Sequence, residues 1–403
     1  MIHKKKYRGR VKTLADEGWG IIESPEGDVN IHYTVPGEFI EYEIIEKSEG
    51  KLWGKILSIE KKSPYRVDIR CNHYKICGGC NLMHLDYEYQ IKHKKERFIS
   101  SLEKSLNHNI KIDKIYTENP FNYRVKAKLK GIEPTGKTGF IKKGRTDVVQ
   151  IDRCYLFHEK LNDFISIWNN MENPPFVHQI DIFYNISNGK TYVFLSHKPK
   201  DVDFMKNFGE NTVFMYPGDV NEPIKVKIGK FGYQSLPQLF FQVNYFFWKI
   251  LQNEVEKQIQ DINKKEKHDF AIDLYSGVGF FSPILKKYYK DVLGVESSEI
   301  SVKLAKESFP EIKFIKTPAE RFSFPKADLI FLDPPRSGLG EKILDKIIKK
   351  RYKNIIYLSC SYRSLSKDIK VLENNGYILK NIVLFDMFPH TPHIESLIVL
   401  ERG

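Results

Sequence analysis

The sequence predicts an α/β fold class: a C-terminal doubly wound α/β domain, preceded by an N-terminal small β-barrel and an α+β middle domain. Three observations carry that reading. Past residue 269 apolar strand-like runs alternate with helix-like segments, as a parallel sheet requires. Residues from about 7 to 60 hold short β-rich runs cut by Pro25, Gly27, Pro36, Gly37 and Gly50. And 403 residues are too many for one ordinary core. The expected division is 1–62 for the barrel, 63–235 for the middle domain and 236–403 for the C-terminal domain.

In chain order, Gly20-Ile21-Ile22 and Glu38 to Ile44 are the clearest barrel strands, and Lys61-Lys62-Ser63-Pro64 is the exit. Barrels of this size often bind nucleic acid. A compact stretch from Cys71 to Cys80 follows, then a charged segment at His84 to Leu106 with apolar residues at helical spacing. Asp181 to Ile186 and Thr191 to Leu195 read as strands of a middle domain with little chemistry of its own. No internal repeat or low-complexity tract is apparent.

The C-terminal strands are Phe270 to Tyr275, Asp291 to Glu296, Ala327 to Asp333 and Asn354 to Cys360. Ligands of such sheets sit at the carboxyl ends of the strands, where Asp273, Glu296, Asp333 and Cys360 fall.

Composition bounds the partners. Lys+Arg of 64 against Asp+Glu of 51 gives a net charge of +13, and aromatic residues make up 13%. A cationic surface gains from counterion release on a polyanion, and exposed rings stack on bases. The bland alternative is a solvated lysine-rich surface. The start, Met1 to Arg8, lacks the apolar core of a signal peptide, and no run of about 18 apolar residues is present. The expected location is therefore cytoplasmic, with no membrane partner. Five cysteines, odd and sparse, do not suggest a disulfide framework.

Ser276-Gly277-Val278-Gly279 follows a strand and precedes a helix, with the acid Glu296 ending the next strand. That is the pattern of an adenosine cofactor whose ribose is held by a carboxylate. The third glycine of a dinucleotide fingerprint is replaced by the run Phe280-Phe281-Ser282, and Asp273 precedes the first glycine, which fits S-adenosylmethionine better than NAD. Asp333-Pro334-Pro335-Arg336 is a rigid turn able to hold polar groups near a reacting atom. Loops of that kind also serve amino-group methylation, which needs no cysteine. Cys360 alters the chemistry, because a thiolate adding to carbon 6 of uracil makes carbon 5 nucleophilic. A base must then remove the carbon-5 proton. Glu395, within Phe388-Pro389-His390-Thr391-Pro392-His393-Ile394-Glu395, is the preferred candidate and Asp386 its competitor. His390 and His393 lack a third close ligand for a metal.

On these motifs the chain resembles the RNA uracil-5-methyltransferases, in the branch with a TRAM barrel (an OB-like domain) and an iron–sulfur cluster. The resemblance runs from Gly18-Trp19-Gly20 through Cys71-x5-Cys77-Gly78-Gly79-Cys80, Phe240-Phe241-Gln242-Val243-Asn244, Asp273 to Gly279, Asp333 to Gly338 and Ser359-Cys360 to Phe388-Pro389-His390-Thr391. It implies that Gln242, Tyr275, Glu296, Asp333 and the more variable Phe280 contact S-adenosyl-L-methionine. It implies Cys360 as nucleophile and Glu395 as base. It implies that Cys71, Cys77, Cys80 and Cys154 hold a [4Fe–4S] cluster, although spacing alone suits zinc equally. RNA is the implied partner, large-subunit ribosomal RNA before transfer RNA, with no obligate protein partner. Ser361-Tyr362-Arg363 departs from the Asn-Pro-Ala of many members, and Arg363 is placed to help ionise Cys360.

Two rivals stand beside this reading. An RNA cytosine-5-methyltransferase would carry a second cysteine in the loop after the fourth strand, and the Asp333 loop has none. A non-catalytic RNA-binding or ribosome-assembly factor would have no need to keep Cys360, Glu296 and Asp333.

Overall fold

The structure is a computed structural model that describes residues 5–218, 222–264 and 269–403. Met1 to Lys4, part of the N-terminal reading above, lie outside the described residues. Two compact units are formed: residues 1–98, 140–151 and 388–393 make the first, and 99–139, 152–387 and 394–403 the second.

In the first unit, β1 (Lys6–Arg10), β2 (Thr13–Leu14), β3 (Gly20–Ser24), β4 (Gly27–Ile31), β5 (Phe39–Ser48) and β6 (Lys51–Lys61) form the small barrel, in the order β1-β5-β6-β4-β3-β2. Alternating residues put Val11, Ile22, Val29, Ile31, Ile40 and Tyr42 in its core. Each such side chain contributes about 1.5–3 kcal/mol by burial. Gly20 and Gly54 are required by packing, since a Cβ at Gly20 would lie 2.0 Å from Thr34 Oγ1 and one at Gly54 2.9 Å from Val29. Past the barrel, Arg66 donates through Nε and Nη2 to the fully buried Glu38, which also accepts the Val35 N–H at 2.9 Å. This two-toothed ion pair fixes the barrel exit.

Helix α1 (Tyr87–Leu106) spans the division between the units, and β7 (Lys114–Tyr116) follows it. The middle sheet of the second unit uses β8 (Lys126–Gly131) and the start of β9 (Thr138–Ile141), with β10 (Val148–Gln150) belonging to the first unit. After α2 (Glu159–Asn170), that sheet is completed by β11 (Gln179–Asn185), β12 (Lys190–Leu195) and β13 (Thr212–Met215), in the order β9-β8-β11-β12-β13. The hairpin β14 (Ile224–Ile228) and β15 (Phe231–Ser235) leads into α3 (Phe247–Asn263).

The C-terminal layer alternates β16 (Phe270–Leu274), α4 (Ser282–Lys286), β17 (Asp291–Glu296), α5 (Glu299–Ser308), β18 (Lys313–Lys316), β19 (Leu329–Leu332), α6 (Glu341–Lys350), β20 (Asn354–Ser359), α7 (Tyr362–Glu373), β21 (Tyr377–Phe385) and β22 (Glu395–Arg402). The sheet order is β18-β17-β16-β19-β20-β22-β21-β7, with β22 antiparallel to its neighbours. β19 and β20 are buried throughout, which explains their unbroken apolar sequence. The strand order reverses between β16 and β19, which opens the crevice where such sheets hold ligands. The strand β7, from far earlier in the chain, closes the edge beside β21. Among the described residues no helix is long and apolar enough to cross a membrane.

Candidate active site

One pocket lies in that crevice, enclosing about 360 Å³ including its open mouth. Its wall includes Gln242, Tyr275, Phe280 and Asp333, along with Asp273 and Phe240. Four of the five cofactor residues expected from sequence therefore meet at one place. The fifth, Glu296, stands at the end of β17, where its Oε2 accepts the Gly277 N–H at 3.1 Å and its Oε1 the Ser298 N–H at 2.7 Å. It joins the pocket through the glycine loop rather than as part of the wall. Gly277 (φ 54°) and Tyr275 (φ 68°) are left-handed, and Tyr275 and Ser276 both donate to Val295 O, so the loop folds tightly against β17. Gly279 (φ 83°) faces Phe314, 3.1 Å from where its Cβ would stand.

The opposite wall is held by contacts that sequence alone does not disclose. Tyr233 stacks on Phe280 at 5.6 Å and donates to the Phe280 carbonyl at 3.1 Å. Trp248 Nε1 donates to Gln242 O at 2.8 Å. Lys126 donates to the carbonyls of Leu236, at 3.4 Å, and Leu239, pinning the turn that carries Phe240 to Gln242. Burial pushes its ammonium down to about 7. Phe240 remains 71% exposed at the pocket mouth.

Burial pushes both Asp273 and Asp333 up to about 7, and each is raised further by a neighbouring carboxylate: Glu296 for Asp273, Asp273 for Asp333. The Ser282 hydroxyl donates to Asp273 and works the other way. Clustered buried acids at the floor of a crevice suit a ligand that brings a positive charge and hydroxyl donors.

Beside this pocket stands the thiol. β20 and β22 pair antiparallel, with Ser359 opposite Ser396 and the Ser396 hydroxyl donating to Ser359 O at 3.2 Å. Extending that register by one residue sets Cys360 against Glu395. Cys360 is half-buried and Glu395 only 6% exposed. Burial, then the Glu395 charge, pushes the thiol up to about 11, while Arg336 pulls it down. Glu395 is held well above the usual carboxylate range by burial and by Asp333, again opposed by Arg336. The cation acting on both groups is thus Arg336 of the Asp333 loop. Arg363 lies over the Tyr362 ring, 5.9 Å from its centroid. Asp386 is fully buried, and its N–H bonds Tyr116 O at 3.0 Å.

The departure after Cys360 has a structural explanation. Ser361 is the N-cap of α7, its hydroxyl accepting the Ser364 N–H at 3.4 Å. Serine and asparagine serve equally there, so the helix start survives the change. Two turns further on, Asp368 Oδ2 accepts from the Tyr357 hydroxyl at 2.7 Å and the Leu339 N–H at 2.9 Å. It ties β20, α7 and the end of the Asp333 loop together, a role no sequence signal announced.

Comparison with known proteins accords with this geometry. Residues 313–403 match the family described as tRNA (uracil-5-)-methyltransferase. A tRNA (uracil(54)-C(5))-methyltransferase of Pyrococcus horikoshii is 29% identical over 421 residues, covering 96% of this chain and 98% of its own. The likeness is thus to the RNA (uracil-5-)-methyltransferases, over nearly the whole chain. A 23S rRNA (uracil(1939)-C(5))-methyltransferase of Francisella tularensis subsp. novicida is also 29% identical, over 448 residues, covering 98% of this chain and 97% of its own. The fold is that of the Pyrococcus abyssi tRNA (uracil-54, C5)-methyltransferase crystallised with S-adenosyl-L-homocysteine, with TM-score 0.75, 23% identity and coverage of 98% and 99%.

Four further cysteines remain. Cys71, Cys77 and Cys80 belong to the first unit and Cys154 to the second. Cys77 accepts the Gly79 N–H at 3.4 Å, and its thiol is pushed up by burial and by Cys71. Among the described residues no three Cys, His, Asp or Glu side chains converge as a metal site would require. The donor set is chemically apt for iron–sulfur or zinc, but its geometry does not show a formed site.

Proposed function

We propose that the chain methylates carbon 5 of a uridine in RNA through a covalent adduct on Cys360, with Glu395 as the base. The observation that carries this is the juxtaposition of a thiol and a carboxyl at the paired ends of β20 and β22, beside the pocket at the switch point. S-adenosyl-L-methionine, when bound, supplies an electrophilic methyl group on a positively charged sulfur. Gln242, Tyr275, Phe280 and Asp333 form the wall that would hold it, and Glu296 orders the glycine loop.

The Cys360 thiolate forms a bond to carbon 6, and the displaced electron pair makes carbon 5 the nucleophile that takes the methyl group. Glu395 as carboxylate then removes the carbon-5 proton, the carbon–sulfur bond breaks and the thiolate is restored. Arg336 favours the charged form of each, the thiolate at the addition step and the carboxylate at the proton removal, after which Glu395 returns the proton to solvent. RNA containing 5-fluorouridine blocks the proton removal, because fluorine stands at carbon 5. Wild type with methyl donor should accumulate a protein–RNA adduct that Cys360→Ala cannot form. No adduct with any RNA pool would remove the mechanism.

For the substrate we propose large-subunit ribosomal RNA, supported by the 23S rRNA methyltransferases among the relatives. Transfer RNA is the second reading, favoured by an equally similar archaeal relative. Mapping 5-methyluridine in both RNA classes from a strain lacking the gene decides between them. The domain division proposed is 1–62 for RNA binding, 63–235 as the middle domain and 236–403 for catalysis. We also propose that Cys71, Cys77, Cys80 and Cys154 hold a [4Fe–4S] cluster, a reading that rests on the resemblance noted above, since four thiols at this spacing suit zinc equally. Protein purified without oxygen should carry iron and sulfide, and stoichiometric zinc without iron would overturn that assignment.

A further inference from the structure

Away from the reactive thiol, the first unit carries an aromatic cluster that its core does not consume. Trp19 precedes β3, His32 and Tyr33 follow β4, and Trp53 lies in β6. Strand pairing brings them together, since Gly20 lies opposite Ile31 and Asn30 opposite Trp53. His32 stacks on Trp53 with centroids 5.1 Å apart and planes at 22°, and Trp19 meets Trp53 edge-on at 4.8 Å. Tyr33 continues the run 5.7 Å from His32.

All four rings are half-buried rather than enclosed. They stand outside the barrel core, which is filled by aliphatic residues and Tyr42. Cations border them: Lys51 Nζ lies 5.4 Å from the Trp19 ring, and Lys143 Nζ 4.7 Å from that of Tyr33. Trp19 Nε1 is buried without a hydrogen-bond acceptor, an uncommon condition for an indole donor. Burial, reinforced by Lys143, pushes His32 down to about 4, so at neutral pH it is an uncharged ring.

We propose that Trp19, His32 and Trp53, bordered by Lys51 and Lys143, form a stacking platform for an unpaired nucleobase of the RNA substrate, distinct from the site that methylates. The inference rests on the reading of the chain as an RNA methyltransferase and adds where, and by what chemistry, a second part of that RNA is gripped. Rings give a face that every base can use, and lysines at the rim meet the phosphates on either side. The platform is composite, because Lys143 comes from residues 140–151 rather than from the barrel strands.

The test uses tryptophan fluorescence of the full chain. Trp168 (0% exposed) and Trp248 (5%) are core residues, so quenching by a single-stranded oligouridine reports on Trp19 and Trp53. Saturable quenching is expected with the oligouridine and much less with a duplex of equal charge. His32→Ala and Trp53→Ala should each weaken single-strand binding about 5- to 150-fold, as loss of one stacked base requires, and Trp53→Phe should recover most of it. With a full RNA substrate, KM for RNA should rise while kcat stays within about twofold. Cys360→Ala should bind the oligouridine like wild type, so failure of the methylation mechanism and failure of the platform are separate results. Should Trp53→Ala fail to fold, His32→Ala and Trp53→Phe still decide. Unchanged affinity in folded His32→Ala, or equal quenching by duplex, would overturn the proposal.

Discussion

At the scale of single residues, the active site is a contest between burial and charge. Cys360, Glu395 and Asp333 are each pushed toward their protonated form by burial first and by a neighbouring negative charge second, and Arg336 opposes the shift at Cys360 and Glu395. Removing that cation with Arg336→Gln should raise the thiol further. The pH profile of thiol alkylation, which follows the thiolate, should then move to higher pH than in wild type; an unmoved profile would show that Arg336 does not act on Cys360. Asp333 gives a second prediction. Its folded value is raised from 3.8 to about 7, so its stabilising contribution is complete below about 3.8 and is lost as pH rises toward 7. In urea unfolding without methyl donor, the stability of wild type relative to Asp333→Asn should therefore fall between pH 5 and 7. A difference that is flat or rises across that window would contradict the assigned burial.

At the scale of elements, the reactive groups depend on braces between strand ends. Asp368 is the clearest, accepting from Tyr357 on β20 and from Leu339 after the Asp333 loop. A Cβ at Gly338 would come within 2.6 Å of its Oδ2, so loop and helix are tightly fitted there. Asp368→Ala leaves the buried Tyr357 hydroxyl without its acceptor, at a cost of about 1–3 kcal/mol. It also frees the Asp333 loop relative to Cys360, and small misplacements cost large factors in rate. Methyl transfer should slow about 10- to 100-fold in single-turnover assays while RNA affinity holds. Strand ends were readable in the sequence because parallel buried strands write continuous apolar runs, and Asp273, Glu296, Asp333 and Cys360 each close such a run. The braces were not, because Asp368, Lys126 and Tyr233 act through contacts 11 to 113 residues away that carry no local pattern. The short β7 was hidden for the same reason: three residues take strand form only because β21 offers an edge. The aromatic cluster was also illegible, since Trp19, His32 and Trp53 are neighbours only once the barrel strands pair.

At the scale of the whole molecule, a net charge of +13 and a ring platform predict different signatures in RNA binding, and salt separates them. Charge acts through counterion release, so log affinity should fall linearly with log salt, at a slope of about −0.7 to −0.9 per phosphate neutralised. Stacking involves no ion release, so Trp53→Ala should lower the line with its slope intact. Lys143→Ala removes one charge at the platform rim and should lessen the slope by up to about one phosphate's share, with a smaller drop at high salt. These two variants, measured across a salt series on the same single-stranded RNA, distinguish a base held on rings from a backbone held by charge. If Trp53→Ala flattened the slope as Lys143→Ala should, the rings would be supporting the lysines rather than gripping a base, and the surface would be electrostatic in kind.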